Sequence, residues 1–230
     1  VLQNKLPENT AVIIKNLSKI YDQSTGCRKN SKAFAAVKDL CLSVEENTLL
    51  CLLGPNGAGK STTINMLVGF HPSTYGDASI FGHSIKDNVE QVQSLMGLCP
   101  QFDILWDELT GEEHLMLFAG LRNLPQEEIF GEAQRLMKEV GMEAEAKIRC
   151  RNYSGGMRRR ISLAISFIGN PKIAILDEPT TGMDPISRRE VWNVIEKAKK
   201  DKVIILTTHS MIETEVLANK IAIMAGGRLR

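Results

Sequence analysis

The stretch "GPNGAGKS" at residues 54–61 decides the fold, because it fits the pattern G-x-x-x-x-G-K-[ST] of a phosphate-binding loop. It follows the apolar run "TLLCLLG" (48–54), which is typical of a strand buried on both faces. Residues 60–69 favour a helix, whose N-terminal dipole would attract phosphate. We therefore expect a nucleotide to contact Gly54, Pro55, Asn56, Gly57, Ala58, Gly59, Lys60, Ser61 and Thr62.

Two side chains of this loop have predicted chemical roles. Lys60 is a compact positive charge that can reach the β- and γ-phosphates during catalysis. The Ser61 hydroxyl can ligate Mg²⁺. The alternative is a glycine-rich turn that only caps an ordinary helix.

Acidic and basic groups follow two further apolar runs. "IAILDEP" (173–179) places Asp177 to bind Mg²⁺, directly or through water, and Glu178 to orient and deprotonate an attacking water. A solvated strand end before Pro179 is the alternative. "LTTHS" (206–210) ends the next apolar run and puts His209 at the same sheet edge, where a γ-phosphate would lie.

Apolar runs alternate with helical stretches along the chain, which indicates an α/β core with a parallel sheet. Residues 11–17 and 36–44 alternate apolar and polar residues and predict antiparallel strands joined by a polar loop at 22–32. Further strands are expected at 96–100, 172–179, 202–209 and the run "KIAIMAGG", and helices at 110–121, 126–140, after Gly156, at 191–200 and from Met211.

The organisation expected from this pattern is one domain over 1–230. An antiparallel β part would cover about 10–50 and 78–84, the phosphate loop 54–61 would open the core, and a helical lobe would cover about 102–168. Residues 172–230 would complete the core with the carboxylate strand and His209. The chain does not begin with Met, and we expect it to be a piece of a longer protein.

Composition narrows the classes of function. A formal net charge of +1 over 230 residues argues against a nucleic-acid partner, which usually requires a basic field. No run of about 18 apolar residues is present, so we expect no direct insertion of this domain into a membrane. The 5 cysteines show no C-x-x-C pair and are expected to be reduced thiols rather than disulfides or zinc ligands.

A second glycine-rich helix start occurs in "NYSGGMRRRISLAIS" (152–166), where Ser154, Gly155 and Gly156 precede a helical run. Such a start could hold an anion, or Ser154 could simply be an N-cap. The basic residues that follow, 158–160, are expected to form a solvated helix face.

Five motifs occur in a fixed order along the chain: "GPNGAGKST", "CPQFD", "YSGGM", "ILDEPTTGMDP" and "TTHS". Together they resemble the nucleotide-binding domain of an ATP-binding-cassette (ABC) protein. The resemblance implies a P-loop NTPase core with a mostly parallel sheet, an antiparallel β subdomain and an α-helical subdomain. It also implies a head-to-tail dimer of two such domains around MgATP. Ser154, Gly155 and Gly156 of one domain would then contact the γ-phosphate of ATP bound at the phosphate loop of the other.

The resemblance assigns three more residues. Gln101 matches the glutamine that contacts Mg²⁺ and the attacking water and links to the transmembrane partner. Tyr21 matches the aromatic residue that stacks on adenine, although a half-buried tyrosine at a strand end is the alternative. Asp184 matches the loop that crosses to the opposite domain and is also a plausible helix N-cap. The catalytic set is therefore expected to be Lys60, Gln101, Glu178 and His209.

The motif "YSGGM" (153–157) occupies the place of the family's signature motif, which usually reads LSGGQ. It departs from that form with Tyr153 at the first position and Met157 at the last. These motifs are similar to the A subfamily of eukaryotic ABC transporters, most of all its plant-type members, which implies lipid transport powered from the cytosolic face of a membrane. Two alternatives stay open. One is a soluble ABC ATPase that acts on ribosomes or DNA, and the other is a cassette that binds ATP only for regulation.

Overall fold

The protein is described here from a computed structural model, which describes residues 9–22 and 33–230. The chain divides into two compact units, one of Val1–Ser94 with Thr207–Arg230 and one of Leu95–Leu206. Apart from Asp22, the polar loop predicted at 22–32 lies outside the described residues.

The first unit contains most of the strands, numbered along the chain. They are β1 (Thr10–Tyr21), β2 (Phe34–Glu45), β3 (Leu49–Leu53), β4 (Tyr75–Ile80), β5 (His83–Ser84), β9 (Lys220–Ala225) and β10 (Arg228–Leu229). Its helices are α1 (Lys60–Leu67), α7 (Met211–Leu217) and most of α2 (Val89–Leu95). The sequence did not predict α2.

One sheet of this unit is antiparallel, with the strand order β2-β1-β4-β5. Val12 lies opposite Val44 in the β1–β2 register, and both side chains are buried. The predicted strands at 11–17 and 36–44 are thus confirmed and extended. Where an antiparallel segment was expected over about 78–84, β4 and β5 form a hairpin. Its two turn residues, Phe81 and Gly82, both have positive φ, which matches the twist of the strands.

The other strands of the first unit carry the phosphate loop. β3 pairs in parallel with β9, with Leu52 opposite Ala222, and β10 pairs antiparallel to β9. Four of the five residues of β3 are buried, as the apolar run predicted. The loop of residues 54–59 follows β3, and α1 begins at Lys60.

The second unit contains β6 (Met96–Cys99) and β7 (Ile173–Asp177), which pair in parallel, and most of β8 (Val203–Thr208). Its helices are α3 (Gly111–Leu121), α4 (Gln126–Glu139), α5 (Gly155–Ser166) and α6 (Pro185–Ala198), with a short 3-10 helix at Cys150–Asn152. All residues of β7 are buried, as its apolar sequence predicts.

The helices of this unit follow ordinary packing and capping rules. In α4 the buried side chains Ile129, Ala133, Leu136 and Met137 recur at helical spacing. Thr110 caps α3 and forms a capping box with Glu113. Among the helices in 9–22 and 33–230, none has the length and apolar character needed to cross a membrane.

Candidate functional site

Two glycines of the phosphate loop, Gly54 and Gly59, have no room for a side chain. A Cβ on Gly54 would lie 2.4 Å from the carbonyl oxygen of Met224 in β9, and a Cβ on Gly59 would lie 2.6 Å from that of Ala36 in β2. Gly59 also has a φ of +105°, which L side chains rarely adopt. Tight packing within the first unit therefore imposes the turn that a phosphate-binding loop needs.

Lys60 is held inside this loop. Its Nζ donates to the carbonyl oxygens of Gly54, at 2.8 Å, and of Pro55, at 3.3 Å, and the side chain is buried. The ammonium therefore lies against the loop that would receive phosphates. Ser61 is exposed and Thr62 is partly exposed, so both can be reached from solvent.

The first unit also places His209 near the start of the loop. The backbone N–H of Gly54 donates to the carbonyl oxygen of Thr208 at 3.1 Å, and the exposed His209 is the next residue. Adjacent strand ends thus bring together a histidine and the phosphate loop, as the sequence predicted.

Tyr21 lies at the end of β1, where it pairs with Phe34. Its ring meets the His71 ring edge-on with centroids 6.1 Å apart, and the Lys19 ammonium lies 5.2 Å from its centroid. The cation covers one face of the ring. A base that stacks on Tyr21 would therefore use the opposite face.

In the second unit β7 leads directly to two buried carboxylates, Asp177 and Glu178. Glu178 has a φ of +47°, a conformation that is uncommon and costly for a residue with a side chain. Its Oε2 accepts a 3.0 Å hydrogen bond from the hydroxyl of Thr181. The backbone of Glu178 is therefore held in an unfavourable conformation, as is common at functional sites.

The backbone around these carboxylates is bonded by Arg159 of α5, which is only 5% exposed. Its Nη2 donates to the carbonyl oxygen of Asp177 at 3.1 Å, and its Nε donates to that of Pro179 at 2.6 Å. The expectation that residues 158–160 form a solvated face is wrong for Arg159. Leu163, one turn further along α5, is buried as well, and this i, i+4 relation was the available signal.

Arg159 also holds the segment that contains Gln101. Its Nη1 donates to the carbonyl oxygen of Pro100 at 2.6 Å, and the same atom lies 3.5 Å from that of Gln101 and 3.0 Å from Oδ1 of Asp103. Gln101 itself is exposed. One guanidinium thus bonds the backbone of two segments, one that contains Gln101 and one that contains Asp177 and Glu178.

Ser154 is the N-cap of α5. Its Oγ accepts from the backbone N–H of Met157 at 3.2 Å, and the Met157 sulfur accepts from the backbone N–H of Ser154 at 3.5 Å. Methionine here completes the capping box that glutamine usually forms. The substitution at position 157 therefore preserves the helix start, and both Ser154 and Gly155 are exposed.

The two signature glycines differ in their surroundings. A Cβ on Gly156 would lie 2.7 Å from Oγ of Ser187 in α6, so only glycine fits there. Apart from Gly155 itself, its chain neighbours and the backbone of its own helix, no heavy atom of the described residues lies within 4 Å of a Cβ built on Gly155. Gly156 is required by packing between helices, whereas the space at Gly155 is open.

Tyr153, the other departure from the usual signature, is buried. Its hydroxyl donates to the carbonyl oxygen of Glu145 at 2.8 Å and hydrogen-bonds with the backbone of Gly111. Burial raises the pKa of this phenol to about 12, so it stays neutral. The sequence did not indicate that this residue anchors the start of the signature helix.

Asp184 caps α6. Its Oδ1 accepts from the backbone N–H groups of Ile186, at 3.0 Å, and Ser187, at 3.1 Å. Hydrogen bonds from the side chain and then the backbone of Ser187 lower the pKa of this carboxyl. The N-cap alternative is therefore confirmed, and the exposed carboxylate is a fixed negative charge.

His114 of α3 is a further polar side chain, and it is completely buried. Its Nε2 accepts from the backbone N–H of Trp106 at 2.8 Å, and its Nδ1 lies 2.8 Å from the carbonyl oxygen of Thr110. One ring nitrogen accepts while the other donates, which requires the neutral imidazole. Burial lowers the pKa of His114, in agreement with that state.

Comparison with known proteins adds to this geometry. Residues 37–181 match the family model described as "ABC transporter". This chain belongs to the ABC transporter family. It is an ABC ATPase domain, which confirms the predicted family, enzyme class and fold.

Two named relatives show the similarity to the A subfamily. The chain is 52% identical to ABC transporter A family member 9 of Arabidopsis thaliana, over 100% of this chain and 25% of that protein. It is 45% identical to the human phospholipid-transporting ATPase ABCA3, over 94% of this chain and 12% of that protein. The chain thus spans about a quarter of the length of its plant ABC relatives.

A solved structure matches the fold. The dimeric ATP-binding cassette MJ0796, in a post-hydrolysis state bound to ADP and Pi, superposes with a TM-score of 0.82 and 23% identity. The match covers 95% of this ABC chain and 96% of MJ0796. It confirms a mostly parallel sheet with an antiparallel sheet and several helices.

Proposed function

We propose that residues 1–230 form one nucleotide-binding domain that binds and hydrolyses MgATP, dimerises head to tail, and powers transport by a membrane protein. The observation that carries this proposal is the phosphate loop itself. A Cβ on Gly54 or Gly59 would lie 2.4–2.6 Å from a neighbouring carbonyl oxygen, so packing requires glycine at both positions, and the Lys60 ammonium lies against the carbonyls of the loop. A rigid loop with a cation in place suits phosphate recognition.

The first unit supplies most of the nucleotide contacts in this proposal. Residues 54–62 surround the phosphates, and Lys60 neutralises their charge during transfer. Tyr21 stacks on the adenine with the ring face that Lys19 does not cover. His209, next to the residue that bonds Gly54, contacts the γ-phosphate.

The second unit supplies the groups that act on water. Glu178 takes the proton of the attacking water, and Gln101 orients that water. Mg²⁺ prefers oxygen donors, which Gln101 and Asp177 offer in this unit and Ser61 offers in the first unit, and the buried Asp177 carboxylate favours a nearby cation. The metal ion would neutralise charge that develops on the phosphates.

The second subunit completes the reaction in this proposal. Ser154 and Gly155 are exposed at a helix N-terminus whose first turn has no acidic residue. That end attracts anions, and Gly155 leaves space for one. Ser154, Gly155 and Gly156 therefore contact the γ-phosphate of ATP held by the partner, and Asp184 lies in the loop that meets the partner.

The cellular role follows from the relatives. We propose that the domain lies at the cytosolic face of a membrane, joined to transmembrane segments through the region of Gln101, and that the intact protein moves lipid. The 45% identity to a human protein named as a phospholipid-transporting ATPase supports the lipid class. Reconstitution of the intact transporter with labelled phospholipid tests it, and a transport rate that MgATP does not change would contradict it.

The first experiment measures MgATP hydrolysis by the purified chain and by Glu178→Gln. The variant removes the base while keeping the size of the side chain, so ATP binding should persist while turnover falls by about a hundredfold or more. Lys60→Ala is the matched variant that should lose ATP binding. Turnover at the wild-type rate in Glu178→Gln would remove Glu178 from the mechanism.

A second experiment tests the shared site. Lys60→Ala and Ser154→Arg chains are each inactive in this proposal, but a mixed dimer has one intact composite site and one that carries both changes. Mixing should therefore restore part of the turnover. If both variants remain folded by circular dichroism and the mixture stays inactive, the head-to-tail arrangement is wrong.

A further inference from the structure

Glu178 is flanked by two carbonyl groups that accept hydrogen bonds from one side chain. The carbonyl of Asp177 precedes Glu178 and accepts from Nη2 of Arg159 at 3.1 Å. The carbonyl of Pro179 follows Glu178 and accepts from Nε of Arg159 at 2.6 Å. The guanidinium is planar and rigid, so these two bonds set the orientation of the backbone on both sides of Glu178.

This arrangement coincides with the strained backbone of Glu178. A φ of +47° is costly for an L residue and persists only where the surroundings impose it. Charge-assisted hydrogen bonds in a buried location are strong enough to offset such a cost. Arg159 is 5% exposed, so water does not compete effectively for its donors.

The same guanidinium reaches the segment before Gln101. Nη1 donates to the carbonyl of Pro100 at 2.6 Å and forms a 3.0 Å ion pair with Asp103, whose side chain is mostly buried. Arg159 lies five positions after Ser154 on α5. It therefore connects the helix that begins at the signature serine with the two segments that carry Gln101 and Glu178.

We propose that Arg159 is a positioning residue for ATP hydrolysis. It holds the backbone of Glu178 in its left-handed conformation and fixes the segment of Gln101, so that both side chains face the attacking water. The inference rests on the proposed role of Glu178 as the base. It adds that a motion of α5 would be transmitted directly to the base, because the guanidinium belongs to that helix.

The test compares Arg159→Lys with Arg160→Lys in the purified chain. Arg160 is the matched control, because it lies next to Arg159 on α5 and also bonds carbonyls, those of Val140 and Gly141. A lysine at 159 cannot bond both carbonyls around Glu178 in the geometry of a guanidinium. We expect kcat to fall between about tenfold and a hundredfold, because a misplacement of the catalytic base by about 1 Å can slow the reaction by that much. KM for ATP should stay within about twofold of the wild type.

Arg160→Lys should keep kcat within about twofold of the wild type, because its partners lie away from Glu178. Arg159→Gln is a second variant in case the lysine destabilises the fold, and it should lower kcat more than Arg159→Lys. Equal kcat in all three variants and the wild type would overturn the inference. So would a rise in KM with no change in kcat.

A readout that does not depend on turnover separates positioning from a general loss of stability. Glycine adopts positive φ without strain, whereas the strained Glu178 backbone can relax once the hydrogen bonds of Arg159 are lost. Arg159→Lys should therefore lower the urea midpoint of unfolding more in a Glu178→Gly background than in the wild type, where the relief of strain compensates part of the loss. Equal shifts in both backgrounds would show that Arg159 only supports the general packing, and would overturn the inference.

The outcome also distinguishes this inference from the proposed function. Loss of turnover in Glu178→Gln with wild-type kcat in the Arg159 variants overturns the role of Arg159 alone. Wild-type turnover in Glu178→Gln overturns the assignment of the base, and the positioning role falls with it.

Discussion

The hydroxyl of Thr181 donates a 3.0 Å hydrogen bond to Oε2 of Glu178. The donor comes from the turn that follows β7, only three residues after the carboxylate it contacts. Arg159 donates to the backbone carbonyls on both sides of Glu178, and this hydroxyl donates to its carboxylate.

Replacement of Thr181 by valine keeps the shape of the side chain and removes the donor. We expect kcat to fall by up to about tenfold, because the carboxylate can then rotate away from the attacking water, and stability to fall by about 1 kcal/mol. Steady-state kinetics with urea unfolding checks both effects. Thr181→Ser keeps the donor and should retain most of the activity, and an equal loss in both variants would contradict the role of the hydroxyl.

The signature glycines should respond differently to alanine. Gly156→Ala places a methyl group 2.7 Å from Oγ of Ser187 and should destabilise the protein by about 1–3 kcal/mol. Ser187→Gly should relieve part of that loss, since it removes the clashing atoms. Gly155→Ala should change the free energy of unfolding by less than about 0.5 kcal/mol while lowering ATPase activity. Full activity in Gly155→Ala would argue against phosphate contact there.

Met157 should be replaceable by glutamine without loss of stability. Both residues can accept from the backbone N–H of Ser154, which the sulfur does at 3.5 Å. Met157→Gln should therefore stay within about 0.5 kcal/mol of the wild type, whereas Ser154→Ala removes the cap and should cost about 1 kcal/mol. Urea unfolding at equilibrium measures both. A large loss in Met157→Gln would mean that apolar packing, rather than capping, selects methionine.

The Tyr153 hydroxyl should contribute to stability. In Tyr153→Phe the carbonyl of Glu145 loses its donor and the backbone of Gly111 loses its contact, in a buried setting, so a loss of about 1–2 kcal/mol is expected. Tyr75→Phe is the control, because Tyr75 is 64% exposed and should change stability little. Comparable small losses in both variants would show that the Tyr153 hydroxyl is unimportant.

His114 should make stability depend on pH. Burial lowers its pKa in the folded state below the usual value, so the unfolded chain binds the proton more readily. The stability from neutral His114 is therefore complete above about pH 6.5 and declines as the pH falls through the range between the two pKa values. Unfolding free energies from about pH 7.5 to 5 measure this decline.

His114→Gln should flatten that part of the profile, since glutamine does not titrate. An identical decline in His114→Gln and the wild type would assign the pH dependence to other groups.

The sequence alone determined the phosphate loop, the two carboxylates after β7, the helix starts at Ser154 and Asp184, and nearly all strands. These features depend on residues that are adjacent in the chain. A glycine that permits positive φ, a serine that caps its own helix, and an apolar run that must be buried all act over a few residues.

Only the tertiary structure decided which polar side chains are buried and what they contact. Arg159 meets carbonyls 18 and 20 residues away, and Arg159 and Pro100 are 59 residues apart. His114, on a helix, and Tyr153, in the extended segment before α5, are buried for similar reasons. The energy of a buried polar group depends on whether distant backbone groups satisfy it, and that depends on how the elements pack rather than on neighbouring residues.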